Sequence, residues 1–169
     1  HIMNIVASGD VEINDIVLKD MDENDVITAN KIKVGIDKID TEKNLFAFNE
    51  ILIDGIKTEY IIYDTLHDNI DNLFIEDSAD EEEDNAESSC DMNLTIKKFT
   101  LDNSNIVYTD NSLLEKFVLP ITNINVNANN LNLVSKFDAK LKAQVGDKGE
   151  LKGSFVGSLS NFSNMKLNI

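Results

Sequence analysis

No arginine and no tryptophan occur in this chain, and it holds one proline, one cysteine and seven glycines. Each absence removes a class of function. Nucleic-acid binding needs cations that neutralise phosphate, and a dedicated phosphate site favours the arginine fork. With every cation a lysine and a net charge of −16, neither is expected. Cys90 is alone, so no internal disulfide forms and thiols give no compartment. Aromatic content is low, at 7 %, which disfavours platforms for stacking sugars. No apolar run approaches the roughly 20 residues of a membrane-spanning helix, and no signal peptide is visible. No cofactor is implied, because the chain shows no glycine-rich phosphate loop and no cysteine or histidine metal spacing.

What the chain does have is a recurring six-residue pattern: apolar, two polar, apolar, any residue, apolar. It stands at Ile13–Leu18, Phe48–Ile53, Ile96–Leu101 and Ile121–Val126, with weaker copies at Ala29–Val34 and Phe162–Leu167. Strict alternation marks a half-buried strand. The extra polar residue would turn the second half onto the wrong face unless a bulge or bend restores it. The pattern therefore predicts one β-unit reused many times and bent at the same place in each copy.

The 169 residues divide by composition. Residues 1–75 read as a first β-unit, with strands at 4–8, 10–19, 26–39, 46–54 and 56–63, and with His1-Ile2-Met3 as a tag remnant. Thr41 to Asn44 reads as a short helical turn or loop. Thr65 to Phe74 reads as one short helix, capped by Thr65 and Asp68, with Leu66, Ile70 and Leu73 or Phe74 in a stripe. Residues 76–91 are almost wholly Asp, Glu, Ser, Ala and Asn and read as an acidic disordered linker or loop. They lack the spaced ligands and central glycine of an EF-hand. Residues 92–169 read as a second β-unit cut in mid-strand. Pro120 marks its strand as an edge or as bulged there, and Gly146–Gly149 signals a hairpin. Ile51-x-Ile53-Asp54 through Tyr63-Asp64 parallels Phe99-x-Leu101-Asp102 through Tyr108-x-Asp110, the mark of an internal duplication. The fold class expected is mainly β: repeated bent strand units forming a curved antiparallel sheet or open groove, with one short helix.

Chemistry is thin. His67 with Asp64 and Asp68 offers half of a metal or acid–base pair, or a plain surface histidine. Asp54, Asp64, Asp102 and Asp110 end strands, where aspartate is ordinary turn chemistry, although paired carboxylates also serve glycosidases. Cys90 lies among acids that raise a thiol's pKa. No catalytic set assembles, and an enzyme is not expected. The apolar positions Phe99, Leu101, Phe117, Leu119, Phe137, Leu141, Leu151 and Phe155, interleaved with Ala139, Ala143, Gly153 and Gly157, form the candidate site. That face either covers a core or lines an apolar groove.

Ile106-Val107-Tyr108-Thr109-Asp110, preceded by Leu94 to Asp102, resembles the AsmA-like family of bacterial envelope proteins. Gly149 to Gly157 resembles a later strand of the same domains, and Gly9 to Leu18, Ala29 to Ile36 and Ile51 to Tyr63 resemble the family's first unit. The resemblance implies a long periplasmic protein anchored to the inner membrane through an N-terminal segment not included here. It implies repeated β-units forming a groove, phospholipid acyl chains and neighbouring repeats as partners, and a role in phospholipid transport or outer-membrane assembly. It carries over no catalytic residue and does not account for residues 76–91. The other reading is a periplasmic or secreted β-sandwich that binds a glycan or a protein.

Overall fold

In the computed structural model the described residues are 4–20, 22–70, 92–132, 137–157 and 166–168. Among the described residues nine strands form one sheet: β1 (Val6–Lys19), β2 (Asp25–Asp40), β3 (Leu45–Asp54), β4 (Lys57–Ile62), β5 (Asn93–Asp110), β6 (Phe117–Asn132), β7 (Phe137–Val145), β8 (Gly149–Gly157) and β9 (Lys166–Asn168). The order is β1-β2-β3-β5-β6-β7-β8-β9, and β4 lies between β2 and β5 beyond the end of β3. The sheet is curved. All neighbours run antiparallel except at one joint, where β3 and β4 run parallel to β5. There every paired residue stands beside the one 48 positions later, from Leu45 beside Asn93 to Ile62 beside Asp110. The two segments that match in sequence are thus neighbours in space. Tyr60, rather than Tyr63, is the counterpart of Tyr108.

The extra polar residue acts as the pattern requires. In the copies Ile13–Leu18 and Ile121–Val126 the third residue, Asp15 or Asn123, adopts the left-handed conformation at φ 54° and 51°, as do Asn103 and Asn130, outside the named copies, at 51° and 55°, whereas Glu50 and Lys98 do not. Asp and Asn tolerate it best among residues with a side chain. Asp15 and Asn30 leave the β1–β2 ladder together, and Lys97 and Asn130 do so between β5 and β6, so pairing resumes without a slip. Between Leu101 and Ile106 the register moves by one residue and then returns, because β5 and β6 each carry a bulge. Bulges bend a strand and increase its twist. Placed side by side on successive strands, they bend the sheet as a whole.

Asparagine side chains replace the bonds that the bulges remove. Asn103 N–H donates to Asn125 Oδ1 at 3.2 Å, while Asn125 Nδ2 donates to the Asn123 carbonyl at 2.7 Å. Reciprocally, Asn123 N–H donates to Asn105 Oδ1 at 3.1 Å, and Asn105 Nδ2 reaches the Asn103 carbonyl at 3.4 Å. The ladder continues outward, with Asn103 Nδ2 on Asp54 Oδ1 at 2.8 Å, Asn30 Nδ2 on Asp54 Oδ2 at 3.3 Å, and Asn123 Nδ2 on Gln144 Oε1 at 3.3 Å.

Gly55 interrupts the β3–β4 line at φ 69°, and a Cβ there would collide with the Asn30 amide. Gly55→Ala is expected to cost about 2 kcal/mol from left-handed strain and displacement of Asn30. Thermal unfolding should show a fall in Tm of about 4–8 °C.

One expectation needs correction and another resolves to one of its alternatives. Residues 65–70 form no helix, and residues 71–91, with the rest of the expected helix and the acidic segment, lie outside the described residues. Locally bonding side chains win over helix there. Asp64 Oδ1 accepts the N–H groups of Leu66 and His67, and Asn69 takes the Ile61 N–H and donates to the Glu59 carbonyl. A 3-10 turn does form at Thr41–Lys43, capped by Asp40. β6, which carries Pro120, is an interior strand rather than an edge, and the bulge expected there follows between Ile121 and Asn125. Proline fits because β7 pairs with β6 only as far as Ile121, and the Pro120 carbonyl faces that end to accept Gly146 N–H at 2.8 Å. The hairpin expected at Gly146 joins β7 to β8.

Candidate functional site: one apolar sheet face

Because every unit with an extra residue restores its parity, apolar side chains return to one face on successive strands. One row crosses seven strands as Val11, Val34, Ile51, Phe99, Ala128, Ala139 and Phe155. The next runs Ile13, Ile32, Ile53, Leu101, Val126, Leu141 and Gly153. Beyond the asparagine ladder a third runs Leu18, Ile27, Thr58, Ile106, Ile121 and Val145. Tyr60, Tyr108 and Leu119 form a fourth.

All eight residues singled out in the sequence share this face. Phe99 and Phe155 pack with Leu131 against the buried Ala128, Phe137 and Ala139. Leu101 and Leu141 flank Val126, Leu151 stands beside Ala143, and Leu119 stands beside Tyr108. The Phe117 ring lies edge-on to Tyr108 at 6.2 Å, and Tyr108 lies 6.0 Å from Tyr60. Sequence reasoning did not assign the partners from the first unit, above all Ile51, Ile53 and Tyr60. Adding 48 to each number gives Phe99, Leu101 and Tyr108, and that spacing was the available signal.

No second layer covers this face among the described residues. Only seven hydrophobic residues are buried among them, and three of those are alanines of β6 and β7. Large side chains on the face stay half-exposed, with Val11 at 45 %, Ile13 at 52 % and Phe117 at 45 %. Exposed apolar residues scattered singly are ordinary, whereas continuous rows are not.

The opposite face carries charge in pairs. Glu12 meets Lys31 at 3.3 Å, and Glu50 meets Lys98 at 2.9 Å and Lys33 at 3.3 Å. The Lys98 hydrogen bond, then that of Lys33, holds the Glu50 carboxyl below its ordinary value of 4.5. A depressed carboxyl pKa stabilises the fold above the ordinary value, and the effect is lost as pH falls through the folded one. The Tm difference between the natural chain and Glu50→Gln should therefore be fullest near neutrality and shrink as pH falls below the ordinary carboxyl value of 4.5.

The polar candidates do not assemble a catalytic centre. His67 Nδ1 lies 3.0 Å from Asp64 Oδ1, but both side chains are well exposed and Asp64 is engaged in its turn. Backbone and His67 hydrogen bonds, that of Leu66 foremost, lower the Asp64 pKa. Asp54 and Asp102 are neighbours in the parallel joint, with Asp54 held by two asparagines. Asp110 accepts both the Ser112 N–H and hydroxyl, and the hydroxyl bond chiefly lowers its pKa. Burial, then the Asp110 charge, raises that of Tyr108. A shallow polar hollow of about 470 Å³ at the β7–β8 hairpin is lined by Asn123, Asn125, Lys142, Gln144 and Lys148, with no nucleophile–base pair. Among the described residues no three His, Cys, Asp or Glu side chains converge as metal ligands. Cys90 lies outside them. No helix among them is long and apolar enough to cross a membrane.

No family model, curated protein or solved structure matches the chain.

Proposed function

We propose that this chain is a non-enzymatic segment of an AsmA-like envelope protein, periplasmic and anchored to the inner membrane in its full length, whose curved sheet shields phospholipid acyl chains during intermembrane transport or outer-membrane assembly. The observation that carries the reading is the set of apolar rows crossing the sheet and left uncovered among the described residues. An acyl chain laid across those rows replaces water on both surfaces, at roughly 0.8 kcal/mol for each methylene buried. The parallel joint supports the same reading. It sets one β-unit beside the next at a fixed 48-residue step, so the apolar face lengthens with each repeat. Neighbouring repeats of the longer protein are then its covalent partners.

The β-sandwich reading requires a second sheet over the same face, and the described strands all belong to one. A dansyl-labelled fatty acid separates the two. The groove predicts saturable binding with a blue-shifted emission, and a closed sandwich predicts none.

A further inference from the structure

The two loops that end the 48-residue repeats carry the most exposed large side chains of the described chain. Leu66 is 82 % exposed in the first and Leu114 is fully exposed in the second, with Leu113 beside it at 54 %. Leu66 and Leu114 are themselves 48 positions apart, so the step of the parallel joint repeats the leucine along one edge. The loops are neighbours, since Asn111 N–H donates to the Ile62 carbonyl at 2.9 Å. Nor does the exposure come from fraying. Asp64 Oδ1 fixes the first loop through the Leu66 and His67 N–H groups, and Asp110 Oδ1 fixes the second through Ser112. Behind the leucines stands the aromatic row of Tyr60, Tyr108 and Phe117, where the apolar face meets this edge.

We propose that this loop edge docks on a zwitterionic lipid bilayer, with Leu66, Leu113 and Leu114 entering the acyl region. Tyrosine hydroxyls behind an apolar tip suit the headgroup level, where one end of the ring is dry and the other wet. The charge on the edge selects the surface. Asp64, Asp68, Asp110 and Glu115 outnumber Lys116, so an anionic membrane is repelled, whereas a zwitterionic one has no net charge to oppose docking. The proposal rests on the acyl-binding reading above, because docking would bring a source of acyl chains to the mouth of the apolar face.

The test is flotation with phosphatidylcholine vesicles, comparing the natural chain with a Leu66→Ser/Leu114→Ser double variant whose fold is checked by circular dichroism. The natural chain should float, the double variant should bind about tenfold or more weakly, and admixed phosphatidylserine should weaken binding further. No vesicle binding by the natural chain, equal binding by the variant, or tighter binding to phosphatidylserine vesicles overturns the proposal. So does loss of a lipid-free self-association in the variant, which would make the leucines a protein interface. Dansyl fatty acid titrated in parallel separates the two claims. A double variant that keeps the probe but leaves the vesicles supports the edge on an intact groove. If neither protein binds the probe while flotation still needs the leucines, the edge stands and the groove reading fails.

Discussion

Leu141→Asp is expected to weaken dansyl fatty acid binding at least about a hundredfold, while Val156→Asp leaves it within about threefold. Leu141 lies in the middle of the second apolar row, between Val126 and Gly153. Removing its buried surface forfeits roughly 1.5–3 kcal/mol, and a carboxylate facing an acyl chain adds a desolvation cost of at least that size. Val156 is one strand away on the opposite face and 48 % exposed, so its replacement adds the same charge without touching the rows. Leu141 is half-buried with no layer above it, and the variant should remain folded. Equal losses in the two variants would show that binding follows net charge rather than the apolar face.

Asn123→Ile is expected to destabilise the sheet by about 2 kcal/mol, lowering Tm by about 4–8 °C, whereas Asn123→Gly should remain close to the natural protein. At φ 51° a β-branched side chain is strained, and glycine is not. The isoleucine also removes the bond to Gln144, while the backbone bond to Asn105 is available to all three residues. Thermal unfolding followed by circular dichroism gives the ranking. Should the glycine variant fall as far as the isoleucine variant, the Gln144 hydrogen bond, rather than the left-handed backbone, would account for Asn123.

The bent β-unit was legible because its large apolar letters recur at a spacing of three and then two. Ile13, Ile16 and Leu18 display it, as do Ile121, Ile124 and Val126, and both sets lie on the apolar face. Two further bends lack that letter pattern. Leu101 to Ser104 and Ala128 to Leu131 have the same geometry, with Asn103 and Asn130 left-handed. A buried serine and a buried alanine stand where the pattern asks for a large residue. Asn-x-Asn, present at Asn103, Asn123 and Asn130, was the better signal, since the second asparagine bonds the carbonyl of the first at each site.

The expected short helix does not form because, although Leu66 and Ile70 have helical spacing, Asp64, Asp68 and Asn69 direct the chain by their own hydrogen bonds back onto β4. The candidate face was legible from β5 onward, where alternation is clean. Its continuation through β1–β4 depends on the parallel joint, a pairing between residues 48 apart that no local pattern encodes.

The central claim is that the apolar face takes up acyl chains, and native mass spectrometry of the purified chain, with organic extraction of the same sample, tests it most directly. The account predicts a phospholipid-bearing species for the natural chain and for Val156→Asp, and its absence from folded Leu141→Asp. A natural chain that remains lipid-free at its bare mass even after incubation with phospholipid would contradict it.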